Sequence, residues 1–490
     1  MTALLTDPML DLRLPDALAL DLLGAGPERF AFTAADLATP THTRRATIGA
    51  VVPAYNEAAT IKAVLKGLLR QTRLPDVVHV VVNNTTDKTF AKASKLAGEH
   101  TVVRKGVEQI TRVYVHDLGK LADKKVGALN YGYRLVQGAD YLLGVDGDTV
   151  LAKDAVERLE AEMSSDPRIG GISAIYTVDN TDAPRGVPRF LLTGQRAQFA
   201  AFNMQNLLRG RNMAVLGGQA SLFRTSALEE VMTAHHQANP WVSDSEVEDS
   251  LLSLQIKSLG YSTKISATAR ATVGGMTTMR ALDGQQVKWN YGAIDLMWPG
   301  QRGDTQGQPF HPNLRLRWME NASMVVNALT RVAFGLLVVG ALSIGAFEFS
   351  PVWLVPPAVA VALNLRTALS MRDHNWRDVL FAATLVPAEA YMWIRIGHFV
   401  RAWAKFLSRS RTDNWAAQAK AERGAGWAHL SPVAVGVAAL AATAWAWTIL
   451  PVAAQSAVLA VGWPALGVVT VLQTLSMLRR LVRRQHGYTA

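Results

Sequence analysis

The stretch YLLGVDGDTV, residues 141–150, places two carboxylates one residue apart at the end of an apolar run. The run before them has the composition of a buried strand, and Asp146 and Asp148 flank Gly147 directly after it. A polar surface turn would explain the two acids, and so would a divalent metal site, because hard cations prefer carboxylate oxygens. The stretch alone favours the turn, so the rest of the chain must decide between the two interpretations.

Short apolar runs alternate with amphipathic patterns from residue 48 to residue 150. The strand-like runs include IGAVVPAY (48–55), VVHVVVN (77–83) and TRVYVHD (111–117). The helix-like stretches are EAATIKAVLKGLLRQ (57–71), TDKTFAKASKLAGEH (86–100) and KKVGALNYGYRLVQG (124–138). This alternation predicts an α/β domain with a mainly parallel sheet. Ligands bind such sheets at the carboxyl ends of strands, so the PAYNE, NNTTD and DGD segments are expected to converge on one site.

The chain as a whole is both basic and hydrophobic. Its 490 residues, which suggest two or more structural units, include 50 Lys and Arg against 39 Asp and Glu. The formal net charge is +11 and the mean hydropathy is +0.11, a combination that favours a membrane partner over a nucleic acid. The absence of cysteine excludes disulfides, thiolate metal sites and a cysteine nucleophile. Acidic residues and prolines interrupt the first 24 residues, which argues against a signal peptide.

The second half of the chain is predicted to cross a membrane. Residues 332–365 are apolar apart from Glu348, and residues 424–478 contain no Asp, Glu, Lys or Arg. Because a spanning helix needs roughly 20 apolar residues, each tract holds two spans. The predicted spans are about 332–348, 350–366, 431–450 and 455–477.

Residues 378–400 are ambiguous, because they are apolar but contain Pro387, Glu389, Arg395 and His398. The basic segment 401–423 and the basic end of the chain should both be cytoplasmic by the positive-inside rule. Both are satisfied if a helix at about 378–405 lies in the interface as an amphipathic helix. A crossing helix paired with another irregular segment is the alternative.

These patterns predict five segments. They are an N-terminal arm at 1–46, an α/β domain at 47–300, a linker or interfacial segment at 301–331, the membrane region at 332–478 and a basic cytoplasmic tail at 479–490.

Two further motifs follow the DGD turn. Glu248 and Asp249 precede the helical stretch LLSLQIKSLG, where acids suit the helix dipole, although a carboxylate there could also act as a general base. DGQQVKWNYG (283–292) brings Gln285, Lys288 and Trp289 together. A tryptophan is often a core residue or an interface anchor, but beside amide and cationic groups it can form a stacking platform for a sugar ring.

Seven motifs in order resemble those of membrane-integrated family 2 glycosyltransferases, the branch that contains cellulose, chitin, hyaluronan and poly-N-acetylglucosamine synthases. The motifs are VVPAYNEAATI, VVNNTTDKT, KVGALN, VDGD, GGQASLFR, VEDSLLSLQIKSLGY and QQVKW, from about residue 48 to residue 292. The resemblance implies a GT-A-type nucleotide-sugar transferase domain followed by an all-α transmembrane region. It also implies an integral protein of the cytoplasmic (inner) membrane with a cytoplasmic catalytic domain.

The resemblance assigns roles to individual positions. Asp249 would be the catalytic base, and Asp146 and Asp148 would hold Mn²⁺ or Mg²⁺. The residues implied to bind the nucleotide-sugar are Ala54, Tyr55, Glu57, Asn83, Lys125 and Asp146. The residues implied to bind the acceptor are Glu248, Gln285, Lys288 and Trp289.

Three positions depart from the family pattern. Asn83 stands where the family usually has an Asp that contacts uracil, and an amide can still hydrogen-bond a base. Val247 replaces a Thr and leaves both carboxylates of its motif intact. Lys288 replaces an Arg, and it offers a point charge in place of a bidentate fork. The chain also has no clear counterpart of the F-x-V-T-x-K gating segment, which argues against cellulose as the product.

The resemblance implies an inverting, metal-dependent transfer from a UDP-sugar, with processive synthesis and possible translocation of a β-linked polysaccharide as the leading hypothesis. A single transfer to a lipid or protein acceptor is the alternative, and a catalytically inactive scaffold or transporter is a third reading. The expected partners are a UDP-sugar donor, a glycan, lipid or protein acceptor, and membrane lipids, with no nucleic acid. The sequence indicates neither the sugar, the linkage nor the oligomeric state.

Overall fold

A computed structural model describes residues 45–104, 106–245, 247–298, 315–409 and 414–490. The predicted N-terminal arm at 1–46 lies outside the described residues except for its last two positions. The first part of the predicted linker at 301–331 lies outside them as well.

Nine strands form one mixed sheet in the order β3-β4-β2-β1-β5-β8-β7-β9-β6. The strands are β1 Ile48–Ala54, β2 Val77–Val82, β3 Gly98–Arg104, β4 Val107–Asp117, β5 Tyr141–Gly144, β6 Val150–Leu151, β7 Ile169–Val178, β8 Ser221–Arg224 and β9 Ser262–Val273. The block β4-β2-β1-β5 is parallel throughout, and β7 pairs parallel with β9. The pairs β3–β4, β5–β8, β7–β8 and β6–β9 are antiparallel. The predicted α/β fold class is confirmed, with antiparallel strands added around the parallel block.

The helices of the α/β domain cover both faces of this sheet. They are α1 Ile61–Leu69, α2 Thr89–Ala93, α3 Lys124–Leu135, α4 Ala155–Ser164, α5 Val187–Leu208, α6 Thr225–Ala234, α7 Glu248–Ser258 and α8 Met279–Met297. All of β1 is buried, and its alternate residues face opposite helices. Val52 belongs to the core under α1, whereas Val51 packs with α3. Gly132 permits the close approach of α3, because a Cβ there would lie 2.2 Å from Val51 Cγ1.

The predicted helix TDKTFAKASKLAGEH is only partly correct. Its first half forms α2 and a 3-10 turn over Ser94–Leu96, but its last residues begin β3. Gly98 has a φ of 118°, a left-handed backbone conformation that suits glycine and ends the helical path. β3 and β4 then form a hairpin at the sheet edge, and their alternating exposed residues give no continuous apolar run.

The region after the α/β domain is helical. Its helices are α9 Arg315–Ser343, α10 Val355–Ser370, α11 Trp376–Ala383, α12 Leu385–Leu407, α13 Asn414–Glu422, α14 Ser431–Ile449 and α15 Val452–Val482. Within the described residues, 4 helices are long and apolar enough to cross a membrane. They are Arg317–Ser343, Pro351–Ser370, Ala428–Ile449 and Val452–Val482. Much of their apolar surface, including Val437 and Leu440 of α14, is exposed, which is unfavourable in water and favourable against lipid.

Two features of this region bear on the predicted segments. The first apolar helix begins at Arg315, before the predicted start of the membrane region at 332. Helices α11 and α12 are bent by 84° at their junction, and they would make a fifth candidate only if counted as one broken span. The interfacial placement of α12 stays a prediction.

A buried ion pair ties the helical region to the α/β domain. Arg196 Nε of α5 lies 2.9 Å from Asp378 Oδ2 of α11, with side chains 3% and 2% exposed. Asn180 Nδ2 donates to the other Asp378 oxygen at 3.1 Å. Asp378 also accepts from the Asn375 backbone N–H as part of a capping box. The carboxylate therefore starts α11 and docks it on α5 at the same time.

Candidate active site

The PAYNE and NNTTD turns meet at the carboxyl edge of the parallel strands. The Asn56 backbone N–H donates to Thr85 Oγ1 at 3.2 Å, and the Thr86 N–H donates to Asn56 Oδ1 at 2.9 Å. The DGD turn joins them, because Thr60 Oγ1, just after PAYNE, donates to the Gly147 carbonyl at 2.9 Å. Since β1 lies between β2 and β5, all three turns leave the sheet side by side. The predicted convergence of these segments is present in the fold.

Non-glycine residues adopt left-handed backbone conformations in these turns. Asn56 has a φ of 55°, Asn84 of 54° and Lys124 of 48°. Asparagine tolerates this region through local hydrogen bonds, whereas lysine rarely occupies it. Such conformations tend to cluster at binding and catalytic sites, where the surrounding structure holds them. Lys124 directly precedes Lys125, so the turn sets the direction from which Lys125 enters the site.

Lys125 joins two acidic motifs that are far apart in sequence. Its Nζ lies 2.8 Å from Asp146 Oδ1 and 3.8 Å from Glu248 Oε1. Burial lowers the pKa of Lys125, but the charges of Asp146, Asp249 and Glu248 outweigh that effect and hold the pKa above its usual range. The ammonium is therefore a fixed positive charge at the centre of the site.

Gly218 lies between the same groups. Its N–H donates to Asp249 Oδ2 at 3.0 Å, and its carbonyl accepts from the Asp146 N–H at 3.0 Å. A Cβ at this position would lie 2.6 Å from Lys125 Nζ and 2.9 Å from Asp146 Oδ1. The close approach of backbone to the charged groups therefore requires glycine here. Burial first, and then the charge of Glu248, raise the pKa of Asp249 above its usual range, as suits a group that must accept a proton.

Asp148 and Glu57 add negative charge beside Asp146. Burial and the Asp146 charge raise the pKa of Asp148 to about 6. Burial, followed by the charges of Asp148 and Asp146, raises the pKa of Glu57 to about 7 despite a hydrogen bond from Thr60. Gly147 and Gly274 allow this crowding, because a Cβ on either would come within 2.8 Å of Glu57 Cγ or 2.6 Å of Asp148 Oδ2 respectively.

The donor set of this acidic region suits a hard divalent cation. Asp146 and Asp148 supply carboxylate oxygens, and the raised pKa values report a surplus of negative charge that a cation would relieve. Among the described residues, no group of three or more His, Asp or Glu side chains is arranged as a complete metal site. A cation held by the two aspartates would need further oxygen ligands from a bound substrate or water.

The residues predicted to contact the nucleotide line the strand ends. Ala54 is buried at the end of β1, and the next side chain, Tyr55, is 39% exposed. Asn83 follows β2 and is only 2% exposed. Its Nδ2 donates to Asn84 Oδ1 at 2.9 Å. Of these residues, Tyr55 has the side chain most available to a base or ribose.

The predicted acceptor residues divide into two groups. Glu248 is buried and directly faces Lys125, whereas Gln285, Lys288 and Trp289 lie on α8. Helix α8 packs against the start of α7, since a Cβ on Gly292 would lie 2.5 Å from Val247 Cγ1.

On α8 itself, Lys288 is buried, and Trp289 packs at the edge of an apolar cluster that includes Phe199. Gln285 Oε1 is buried without a hydrogen-bond partner among the described residues. The structure thus brings α8 beside the carboxylates without direct hydrogen bonds from Gln285 Oε1.

Several site residues had no predicted role. Gly218 lies in GGQASLFR, a motif that sequence comparison by eye singled out without assigning a function to it. Thr60 stands just outside PAYNE, and Gly274 follows β9, far from every quoted motif. Only the GG pair carried a usable signal, because consecutive glycines often mark a close backbone approach.

Comparisons with known proteins agree on the kind of domain. Residues 50–232 match the sequence model described as Glycosyl transferase family 2. Poly-beta-1,6-N-acetyl-D-glucosamine synthase of Staphylococcus aureus is 21% identical over 243 residues, which is 50% of this chain and 53% of that protein. The chain thus spans about half the length of the curated relatives it matches.

Solved structures with similar chains include mannosyltransferase PcManGT from Pyrobaculum calidifontis in complex with GDP-Man and Mn²⁺. Its TM-score is 0.46 at 17% identity, covering 75% of this chain and 89% of that one. TarS 1–349 of S. aureus in complex with UDP-GlcNAc has a TM-score of 0.35 at 12% identity, covering 75% of this chain and 93% of that one.

Proposed function

We propose that this chain, which carries a glycosyltransferase family 2 domain over residues 50–232, transfers sugar from a UDP-sugar to an acceptor at a membrane surface, with inversion at the anomeric carbon. The observation that carries the proposal is the Lys125 bridge. One ammonium contacts Asp146 of the DGD turn and Glu248 beside Asp249. A donor-side acid and an acceptor-side acid are thereby held in one site.

Inversion requires the donor and acceptor to bind on opposite sides of the reacting carbon. In this proposal the donor diphosphate lies along Asp146, Asp148 and Lys125, and the acceptor hydroxyl faces Asp249. Asp249 accepts the hydroxyl proton as the oxygen attacks. Its hydrogen bond from the Gly218 N–H keeps one oxygen oriented and leaves the other for the acceptor. Lys125 stabilises the negative charge that develops on the departing diphosphate.

Asp146 and Asp148 would hold a Mn²⁺ or Mg²⁺ ion together with the diphosphate. Such an ion neutralises the leaving group and fixes its orientation. The surplus of carboxylates around Asp148 and Glu57 supports this assignment.

Two products are considered, and the leading one is a β-linked polysaccharide made processively. The S. aureus relative supports it, because that protein is a poly-beta-1,6-N-acetyl-D-glucosamine synthase. A single transfer to a lipid or protein acceptor is the second candidate, because α9 carries polar and charged groups into the candidate spanning region, including the Arg331–Glu389 pair at 2.7 Å.

A UDP-release assay with a panel of UDP-sugars and Mn²⁺ tests the activity. Wild-type protein should release UDP from one donor far faster than the Asp249→Asn variant, whose carboxamide cannot accept the proton. Equal release by both proteins across the whole panel would support the scaffold interpretation. Sizing the product then separates polymer from single addition, since mono-addition alone would eliminate the polymerase.

The cytoplasmic orientation of the catalytic domain is part of the proposal. The chain has no cysteine, so single cysteines can be introduced without background. A cysteine at Arg70, which is exposed on the α/β domain, should resist a membrane-impermeant maleimide in intact cells and react after lysis. A cysteine at Phe349, between the first two candidate spans, should react in intact cells. The reverse pattern would overturn the orientation.

A further inference from the structure

A cluster of cations lies on the side of α7 away from the DGD turn. Arg317 of α9 donates from Nη2 to Ser250 Oγ at 3.2 Å, and Ser250 directly follows Asp249 in sequence. Arg317 Nη1 also lies 3.3 Å from Glu320 Oε2. The start of α9 is thereby attached to the helix that carries Asp249.

Other cations surround the same acid. Glu320 lies close enough to interact electrostatically with Lys257 of α7, Arg209 at the end of α5 and Arg395 of α12. Arg317, Lys257, Arg209 and Arg395 therefore share one carboxylate. Burial first, and then the charge of Arg317, lower the pKa of Lys257 to about 8. Arg209 also interacts with Arg483 and Arg480, which adds positive charge. Neighbouring cations with so little compensation destabilise each other unless an anion is bound.

Unused hydrogen-bond donors lie in this cluster. Arg209 Nη1 and Asn206 Nδ2, one turn apart on α5, are buried without a hydrogen-bond partner among the described residues. A buried donor without a partner costs about 1–3 kcal/mol. An anion with several oxygens would satisfy both donors and balance the positive charge. Phosphate has these properties and pairs well with arginine.

Apolar surface on α9 continues directly from the cluster. Val325, Val326 and Leu329 are 39%, 37% and 63% exposed, and they follow Arg317 and Glu320 on the first candidate span. A ligand with a phosphate at the cluster could therefore extend an apolar chain along α9. Free phosphate would make no use of this surface.

We propose that Arg209, Lys257, Arg317 and Arg395 form the binding site for the phosphate group of a lipid, which enters beside α9 and serves as the acceptor for transfer. This inference rests on the proposed function, because it names the chemical class of the acceptor. The Arg317–Ser250 contact places the phosphate next to the helix that bears Asp249. Positive charge here suits a lipid phosphate better than it suits a neutral glycan.

Binding can be measured without any transfer reaction. Full-length protein in detergent, with saturating UDP to fill the donor site, would be titrated by calorimetry with dihexanoyl phosphatidic acid, dihexanoyl phosphatidylcholine or inorganic phosphate. The phosphatidic acid should bind about tenfold or more tightly than the other two. Equal affinity for phosphatidic acid and inorganic phosphate would overturn the lipid assignment, and equal affinity for both lipids would overturn the phosphate site.

Variants assign the binding to these residues. Arg395→Gln and Arg209→Gln should each weaken phosphatidic acid binding by about tenfold, as expected for one charged hydrogen bond. Arg395→Lys and Arg209→Lys, which keep the charge, should retain most of it, and they provide the test if a Gln variant fails to fold. Arg70→Gln, an exposed cation on α1's C-terminal side, is the matched control and should bind as wild type does. Undiminished binding in both Gln variants would overturn the proposal.

UDP release by the same proteins keeps the two proposals separate. A protein that binds phosphatidic acid through Arg395 but releases no UDP from any donor would contradict the proposed function and leave the lipid site standing. A protein that releases UDP but binds phosphatidic acid no better than phosphatidylcholine would contradict only the lipid site.

Discussion

Lys125 Nζ lies 2.8 Å from Asp146 Oδ1, so an ammonium from the start of α3 compensates a carboxylate at the end of β5. Glu248 of α7 lies 3.8 Å from the same ammonium. One side chain thereby holds together three elements that the sequence places more than a hundred residues apart. The charge balance of the candidate site depends on it.

Replacing Lys125 by methionine should slow transfer by about 100-fold, since a preorganised charge at the leaving group is worth that much in related chemistry. The KM for the donor should rise as well, because Asp146 and Glu248 would then repel a diphosphate without compensation. UDP release against donor concentration measures both values. Lys120→Met, which removes an exposed lysine from the preceding loop, is the control. Unchanged kinetics in Lys125→Met would contradict the assignment.

Gly218→Ala should reduce activity by about tenfold or more, because its Cβ would meet Lys125 Nζ at 2.6 Å and displace it from Asp146. The thermal unfolding midpoint should change little, since Lys125 is a flexible side chain that can move away. Gly335→Ala is the matched control, with nothing within 4 Å of its added Cβ. Full activity in Gly218→Ala would mean that the contact between Lys125 and Asp146 is dispensable.

The pH dependence of transfer should follow Asp249. Its pKa is raised by burial and by Glu248, and a general base works only when deprotonated. Activity should therefore rise with pH through an apparent pKa above the ordinary aspartate value of about 3.9. The rate at saturating donor and acceptor, measured from acid to neutral pH, checks this. A rate that is independent of pH down to about 4 would exclude Asp249 as the base.

Arg196→Met should destabilise the protein by about 3–5 kcal/mol, because it leaves the buried Asp378 without its cation. The double variant Arg196→Met, Asp378→Leu should recover part of that loss, since no unpaired charge remains. Thermal unfolding in detergent measures the series. The exposed pair Arg158–Asp154, at 2.7 Å with side chains 38% and 36% exposed, offers a control. Arg158→Met should cost less than about 1 kcal/mol, and equal losses at both sites would contradict the argument.

His79 should make stability fall in mild acid. Burial, and then the neighbouring His116, lower the pKa of His79 to about 4, and the two rings are in contact at 3.0 Å between Nδ1 and Nε2. Because the folded-state pKa lies below the unfolded value of about 6.5, the unfolded chain takes up the proton first. Stability is fully present above about pH 6.5 and decreases toward pH 4, by on the order of 2 kcal/mol.

The His79→Phe variant keeps an aromatic ring beside Tyr114 and removes the titrating group. Its unfolding midpoint should fall less between pH 7 and pH 5 than that of the wild type. Parallel slopes in the two proteins would show that His79 titrates without a shift.

Much of the candidate site could be predicted because it follows single strands. PAYNE, NNTTD and DGD each come directly after a buried apolar run, and parallel strands bring their carboxyl ends to one edge. The number of candidate spanning helices was equally predictable, because length and apolar composition are local properties. The hairpin of β3 and β4 was missed, since its alternating exposed residues resemble a helix continuing past Leu96.

Contacts between distant segments could not be predicted in the same way. The Arg196–Asp378 pair joins an amphipathic helix to a residue that appeared to belong only to an ambiguous apolar stretch. The basic cluster takes Arg209, Lys257, Arg317 and Arg395 from four helices, and none of these residues stood out in its own segment. Charge compensation between such residues is a property of their packing.

The sequence by itself determined the order of strands and helices, the acidic pair at the end of β5 and the apolar tracts, because each depends on residues within one or two turns of chain. Only the tertiary structure decided that Gly218 lies against Lys125, that Asp249 shares a cation with Asp146, and that α9 carries its charged end to the catalytic helix. Burial and the distances between charges set these relationships, and both arise only when separate elements pack together.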